Sequence, residues 1–346
     1  MCASAKTEIS PEPSARIRTL PSDRISYVEV GEDAAGQRLD NFLIRRARGV
    51  PKSHIYRVIR QGEVRVNRHR AKAETKLEAD DVLRIPPMRV SEKPVAAAPA
   101  APIAEGVLPV LFEDRHLLVV NKPAGLAAHG GSGISYGLIE RLRATRPEEP
   151  MLELCHRLDK ETSGAIVIAK TRKALVRMHD LMKAGGVEKH YRALAKGDWV
   201  NERQHVKLAL ERYLLPSGER RVRVNPEGMP AHSIFTLLER FGDVSYLDVE
   251  LKTGRTHQIR VHALACGHPL VGDDKYGDFE FNKAAARGAL GVPFKRMFLH
   301  AWRLAFEHPV TGEPLDIQAP LPEACTTLLK ALEARKKAGS APGAEQ

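Results

Sequence analysis

Residues 91–106 read SEKPVAAAPAAPIAEG, and this stretch constrains the fold more than any other part of the chain. Pro94, Pro99 and Pro102 block a helix, and no apolar period runs through the segment. An Ala/Pro run of this kind favours an extended, semi-stiff spacer. One core cannot form across it. The division expected is a disordered polar tail over 1–25, a small module over 26–90, the linker at 91–106, a large domain over 107–335 and a polar tail over 336–346. With 346 residues, 43% of them hydrophobic and 28% charged, there is apolar material enough for two cores.

No apolar run approaches the roughly 18–20 residues that a membrane span needs. The opening MCASAKTEISPEPSARIRTLPSDR lacks the apolar region of a secretory signal, so a cytoplasmic protein is expected. Cys2, Cys155, Cys266 and Cys325 lie far apart and form no C-x-x-C pair. That spacing builds neither a disulfide framework nor a zinc ribbon, and free thiols are expected.

Charge is concentrated rather than spread. The chain carries 54 Lys+Arg against 43 Asp+Glu, a net +11. Residues 36–72 hold eleven basic residues (Arg38, Arg45, Arg46, Arg48, Lys52, Arg57, Arg60, Arg65, Arg68, Arg70 and Lys72) against only Asp40 and Glu63, and so account for +9 of that total. Leu39, Phe42 and Leu43 share one helical face, and Ile55, Val58 and Ile59 share a face of a second helix starting after Pro51 and Ser53. A turn at 61–64 then leads into a short strand near Val66, with another strand over 81–85. This is a small α+β module with its own core and a polycationic exterior, and its expected partner is a polyanion. The run RLDNFLIRR…KSHIYRVIRQGEVRVNRHRAK resembles the αL RNA-binding module named after a small-subunit ribosomal protein. That resemblance implies an RNA-facing role for Arg45, Arg46, Lys52, Arg57 and Arg60.

Beyond the linker, strands are expected at 108–112, 117–121, 165–170, 190–196, 232–240, 244–252 and 298–306, and helices at 134–144, 171–184, 256–266 and 323–337. Many strands with few crossover-length helices point to an α+β class, with a mixed, mainly antiparallel sheet. The densest reactive segment is Cys155-His156-Arg157-Leu158-Asp159-Lys160-Glu161-Thr162-Ser163-Gly164, followed by the apolar run 165–169. A polar loop running into a buried strand is held rigidly at one end, as a catalytic loop needs. It could equally be an ordinary solvated turn. Ser163 has no base at motif spacing, and His156 reads more readily as a hydrogen-bonded structural residue than as a base. His129-Gly130-Gly131-Ser132-Gly133 lacks the Lys of a phosphate-binding loop and reads as a plain loop. His257 and His262 are five residues apart, off a common helical face, so no metal is expected. Trp199 and Trp302 read as packing residues.

Taken whole, His156-Arg157-Leu158-Asp159-x-x-Thr162-Ser163-Gly164 resembles the signature of RluA-type pseudouridine synthases. Further landmarks follow in that family's order: Asn121-Lys122-Pro123-Ala124-Gly125, Lys189-x-Tyr191-x-Ala193, Gly254-Arg255-Thr256-His257-Gln258-Ile259-Arg260-Val261-His262, Gly267-His268-Pro269, Gly272-Asp273 and Leu299-His300-Ala301. With the basic module in front, the layout is similar to the RluC-like branch. The resemblance implies a pseudouridine synthase fold, isomerisation of uridines in large-subunit ribosomal RNA near the peptidyl-transferase region, and no cofactor. It implies Asp159 as the carboxylate that attacks the sugar C1′ or removes a ribose proton, the residues themselves leaving that choice open. It also implies Arg260 as the cation holding Asp159, by two parallel bonds, and Tyr191 as the ring stacked on a flipped uridine. Arg157 would fill the vacated stack, with His156 and Arg255 beside the RNA. Thr256 is expected to cap the helix carrying Arg260. A monomer is expected. The competing functions are the same chemistry at other ribosomal RNA sites, a non-catalytic RNA-binding ribosome-assembly factor on the same fold, and a hydrolase using Asp159 with His156.

Overall fold

The structure, a computed structural model, describes residues 24–31, 34–47, 50–88, 108–130 and 136–339. The expected linker, most of both expected tails, Arg48 and most of the 129–133 loop lie outside the described residues. The chain divides into two compact units between Ala97 and Ala98.

The first unit contains β1 (Ser26–Glu29), α1 (Leu39–Arg46), α2 (Lys52–Gln61), β2 (Arg65–Val66), β3 (His69–Arg70) and β4 (Val82–Ile85). Its strands form an antiparallel sheet in the order β1-β4-β2-β3. Leu39, Phe42 and Leu43 from α1 meet Ile55, Val58 and Ile59 from α2 over Leu83 and Ile85 of β4. The three-and-four spacing read from the sequence is what lets these side chains share a face. α2 starts at Lys52 directly after Pro51, so Ser53 lies inside its first turn instead of before it. Gly62 ends that helix in the left-handed conformation, at φ 77°, where its N–H reaches back to the last turn. Asp40 is buried, receives Arg38 at 2.7 and 3.1 Å, and accepts the Tyr56 hydroxyl. The bonds from Arg38 hold its carboxyl below the usual range.

The second unit is built on one ten-stranded sheet. In chain order it comprises β5 (Val110–Glu113), β6 (Leu117–Lys122), α3 (Leu138–Thr145), β7 (Glu153–Leu154), β8 (Ser163–Ala169), α4 (Arg172–Ala184), β9 (Val187–Lys196), β10 (Arg203–Val206), β11 (Leu210–Leu214), β12 (Arg220–Val224), β13 (Ser233–Arg240), β14 (Val244–Leu251), α5 (Gln258–Ala265), α6 (Phe279–Ala286), β15 (Leu299–Glu307), β16 (Pro314–Gln318) and α7 (Glu323–Gly339). The main path is β10-β13-β14-β9-β15-β8-β6-β5, with β16 on β15 and β7 on β8. Only β8 and β15 run parallel; every other pairing is antiparallel, as expected of a mixed, mainly antiparallel sheet. β11 and β12 form a separate hairpin.

One face of the sheet carries Ile166, Tyr191, Phe235, Val249 and Leu299 and is covered by α3 and α5. The other is covered in two patches. α4 packs over Val119, Val167 and Phe306, while α6 and α7 pack over Leu194 and Phe298. Trp199 stacks on Phe235, and Trp302 gives its indole N–H to Asp248 at 2.8 Å. The last helix continues to Gly339, past the expected start of the polar tail at 336. Among the described residues, no helix is long and apolar enough to cross a membrane.

The β8–β15 junction explains the glycine of Thr162-Ser163-Gly164. Gly164 has φ 118° and pairs with Ala301, and an added Cβ would sit 2.2 Å from the Ala301 carbonyl oxygen. No other residue lets the loop before β8 enter the sheet at this point.

Candidate active site

Asp159 lies on the loop between β7 and β8, and the loop is tied down on several sides. Cys155 N–H bonds the Val167 carbonyl, and Thr162 N–H bonds the Asp159 carbonyl. The Asn121-Lys122-Pro123-Ala124-Gly125 segment supplies two more ties. Gly125 N–H reaches the Lys160 carbonyl at 2.9 Å, and the buried Lys122 ammonium donates to the carbonyls of Pro123, Leu126 and Lys160. Burial pushes Lys122 down to about 7. Three carbonyl acceptors nonetheless call for three N–H donors, which only the ammonium has, and on that geometry we assign it as charged.

α5 brings the cation. Arg260 is 3% exposed, with Nη1 3.5 Å from an Asp159 oxygen. Its two parallel bonds go elsewhere: Nε and Nη2 each reach a different oxygen of fully buried Asp273 at 2.6 Å. The expected two-bond grip on Asp159 is thus corrected to a grip on Asp273: Nη2 also reaches Asp274 at 3.2 Å, so Nη1 alone is left to face Asp159. Burial opposes the charge of Arg260, and the Asp273 carboxylate more than restores it. Burial likewise opposes the charge of Asp273, whose carboxyl is held below its ordinary range by Arg260 and by the Tyr276 and Lys275 N–H groups.

The helix start also differs from expectation. Thr256 does not cap it; His257 does so with φ 55°, and no side chain closes the cap. The turn is secured instead by Gln258, which is buried. Its Oε1 accepts from Thr253 and from the Arg255 N–H, and its Nε2 donates to the His232 carbonyl and to Ser233. Sequence reasoning gave Gln258 no role, although it sits in the Gly254–His262 motif.

Arg157, Asp159, Tyr191, Arg255, His257 and Arg260 line one small open cleft of about 90 Å³, with Leu158, Leu251 and Leu299 among its apolar walls. Tyr191 is 8% exposed, and burial together with the Asp159 charge raises its phenol, so the hydroxyl stays protonated. Arg157 and Arg255 are exposed, and Arg255 is steadied by the Pro230 carbonyl at 3.1 Å. His156 is outside this lining. Its Nε2 accepts the Val167 N–H at 3.0 Å, and burial pushes the imidazole down to about 4.

Ser163 does have a histidine partner, one that sequence spacing hid. His300 Nδ1 is 2.8 Å from its Oγ, while Arg296 donates to the same oxygen. The serine is fully buried, so this pair is a brace between β8 and β15. The other histidines scatter: His262 bonds Ser233 and the Leu208 carbonyl, and His268 bonds the Lys196 carbonyl. Among the described residues, no three His, Cys, Asp or Glu side chains gather as a metal site.

In the first unit, Lys52, Arg57 and Arg60 are exposed on α2. Arg45 and Arg46 are half-buried on α1, where the Arg46 guanidinium lies over the Phe42 ring at 4.5 Å.

Comparison with known proteins agrees with both units. Residues 116–265 match the RNA pseudouridylate synthase family, and residues 37–83 match the S4 domain. The chain is 47% identical to the ribosomal large subunit pseudouridine synthase C of Salmonella typhimurium, over 90% of this chain and 98% of that one. With the protein of that name from Escherichia coli strain K12 it is 47% identical over 89% and 97% of the two chains. A solved human structure, RNA Pseudouridylate Synthase Domain Containing 1, is 30% identical with a TM-score of 0.52, covering 66% of this chain and 95% of that one. Another, Domain Containing 4, is 26% identical with a TM-score of 0.53 over 65% and 93%. From the catalytic-loop signature, the mainly antiparallel sheet and near full-length identity to these relatives, the chain belongs to the RluA-type family of RNA pseudouridine synthases, with an S4 domain in its first unit.

Proposed function

We propose that this enzyme isomerises several uridines of large-subunit ribosomal RNA near the peptidyl-transferase centre. In this reading it works in the cytoplasm, as a monomer, on free RNA or on an assembling subunit. The observation that carries the proposal is the convergence of Asp159, Tyr191 and Arg260 in one cleft. Near full-length identity to relatives named for the large ribosomal subunit supports the choice of RNA.

The reaction breaks the bond from uridine N1 to ribose C1′, turns the base and rejoins it through C5. Atoms and electrons balance without a redox partner. Asp159 either attacks C1′ or takes a ribose proton, and both routes start from an ionised carboxylate. Arg260 Nη1 sets a fixed positive charge 3.5 Å from that carboxylate. To reach Asp159 the uridine leaves its stack, and the protonated Tyr191 offers a ring face to receive it. Arg157, exposed at the mouth, fills the vacated place with a planar guanidinium. Arg255 and the basic residues of the first unit, Arg45, Arg46, Lys52, Arg57 and Arg60, meet phosphates.

Incubation with large-subunit RNA, followed by mapping of carbodiimide-resistant stops, tests the reading. New stops are expected with the wild-type enzyme. Binding without stops would instead mark an assembly factor, and strand cleavage a hydrolase. Mapping in a deletion strain identifies the target uridines.

A further inference from the structure

His257 occupies a conformation that needs a reason. It is one of four non-glycine residues with positive φ among the described residues, and the only one in the catalytic unit. A left-handed backbone is unfavourable for a side-chain-bearing residue. Such strain, where observed, points toward a functional constraint. Here it turns the imidazole into the cleft, with Nε2 3.8 Å from the Asp159 oxygen that also faces Arg260.

The other ring nitrogen is committed. His257 Nδ1 lies 2.7 Å from the Tyr276 hydroxyl, which itself accepts the Val222 N–H at 2.9 Å. The Val222 N–H takes one acceptor position of the oxygen and the hydroxyl proton is free to point at Nδ1, so we assign Nδ1 as its acceptor. The Tyr276 ring stands edge-on to the imidazole and lies 5.0 Å from the Arg260 guanidinium carbon. The charged groups bearing on His257 are Asp159, Arg260, Lys275 and Asp273. Burial leads this set, and the imidazole is held below its ordinary range, neutral near pH 7. A neutral ring whose Nδ1 accepts carries its proton on Nε2.

We propose that His257 is a positioning residue for Asp159: an Nε2–H donor whose tautomer is fixed by Tyr276 and whose aim is fixed by the left-handed backbone at the start of α5. The 3.8 Å between Nε2 and Asp159 shortens to a hydrogen bond on substrate binding, as catalytic contacts commonly do. Arg260 and His257 then approach one Asp159 oxygen from two directions, one as a charge and one as a neutral donor. This inference rests on Asp159 being the reacting carboxylate.

The test compares His257→Ala, His257→Gln and Tyr276→Phe with Asp159→Asn, each checked for wild-type RNA affinity and melting temperature. His257→Ala should lower kcat about 10–100-fold at unchanged KM, the size expected when a charged acceptor loses a donor. His257→Gln, which keeps an N–H near the same place, should recover most of the loss. Tyr276→Phe should show a smaller fall in kcat. Residual turnover in Asp159→Asn would overturn the underlying assignment of Asp159. An inactive Asp159→Asn beside a His257→Ala enzyme within twofold of wild type would overturn the positioning role alone. Equal damage from Ala and Gln at wild-type melting temperature would do the same, since it would leave ring packing as the only contribution.

Discussion

Arg260 reaches Asp273 at 2.6 Å through two of its nitrogens and Asp159 at 3.5 Å through the third. The stronger partnership is with the residue that has no access to substrate. Asp273 is fully buried and also receives two backbone N–H groups, so it is a fixed mount for the guanidinium. That mount leaves Nη1 aimed at the cleft, 3.5 Å from Asp159.

Arg260→Lys should therefore lower kcat by about 100-fold or more, although charge is retained. A single ammonium cannot bridge Asp273 and the cleft at once. Asp273→Asn should show a different signature. Removing one charge of a buried pair costs about 3–5 kcal/mol, so its melting temperature should fall along with its rate. Thermal melts and single-turnover rates of the two variants separate orientation from stability. Near-wild-type turnover by Arg260→Lys would contradict the division of roles.

Asp159→Asn should fold, bind RNA with wild-type affinity and produce no pseudouridine. The side chain keeps its volume and loses only the group that attacks or takes a proton. At 25% exposure the Asp159 carboxylate sits at the cleft surface, and its removal leaves no buried cavity. Filter binding together with stop mapping on one preparation makes the comparison, and measurable product would refute the assignment.

Much of this was legible in the sequence because the signals were local. The seven expected strands in the catalytic unit each overlap an observed one, since each contains an apolar run destined for the sheet. β11 and β12 escaped notice because LERYL and RRVRV are charge-rich and bury only Leu210 and Val222. α6 escaped because only Ala285 in it is buried and its N-terminal signal, Asp278, stands alone. The site was legible to the same degree. Asp159, Tyr191, Arg260, His257 and Asp273 all sit in motifs, but the mounting of Arg260 on Asp273 and the aim of His257 depend on which loop meets α5 in space. His257 received no role beyond a rejected metal ligand, because a positive φ leaves no mark on a histidine in a sequence.

The buried His300 makes the stability of the catalytic unit pH-dependent. Burial pushes its imidazole down to about 4 from an unfolded value of 6.5. Below pH 6.5 the unfolded chain binds a proton that the folded chain refuses, so this contribution is complete above 6.5 and is lost as pH falls toward 4. The shift corresponds to roughly 3 kcal/mol. His156, likewise pushed down to about 4, adds to the same window. Urea titrations from pH 7 to pH 4 should show His300→Gln losing less stability than wild type. Identical slopes would refute the account.

Removal of residues 1–97 should weaken RNA binding and flatten its salt dependence while leaving catalysis on a short stem-loop largely intact. The division between Ala97 and Ala98 leaves each unit with its own hydrophobic core, so the remainder should fold. The deleted unit carries the +9 cluster of residues 36–72. Not every cation there is equally available: Arg38 is paired with buried Asp40, and Arg70 and Arg84 donate to the carbonyls of Gln61 and Glu63. Lys52, Arg57 and Arg60 project from the exposed side of α2. If about five basic residues meet phosphates, single-stranded RNA would contribute a slope of log K against log salt of about −3 to −4, taking roughly −0.7 per contact. The truncated enzyme should then show a shallower slope and a higher KM at a similar maximal rate. A slope unchanged by truncation would place the RNA affinity in the catalytic unit and leave the basic helices as a solvated surface.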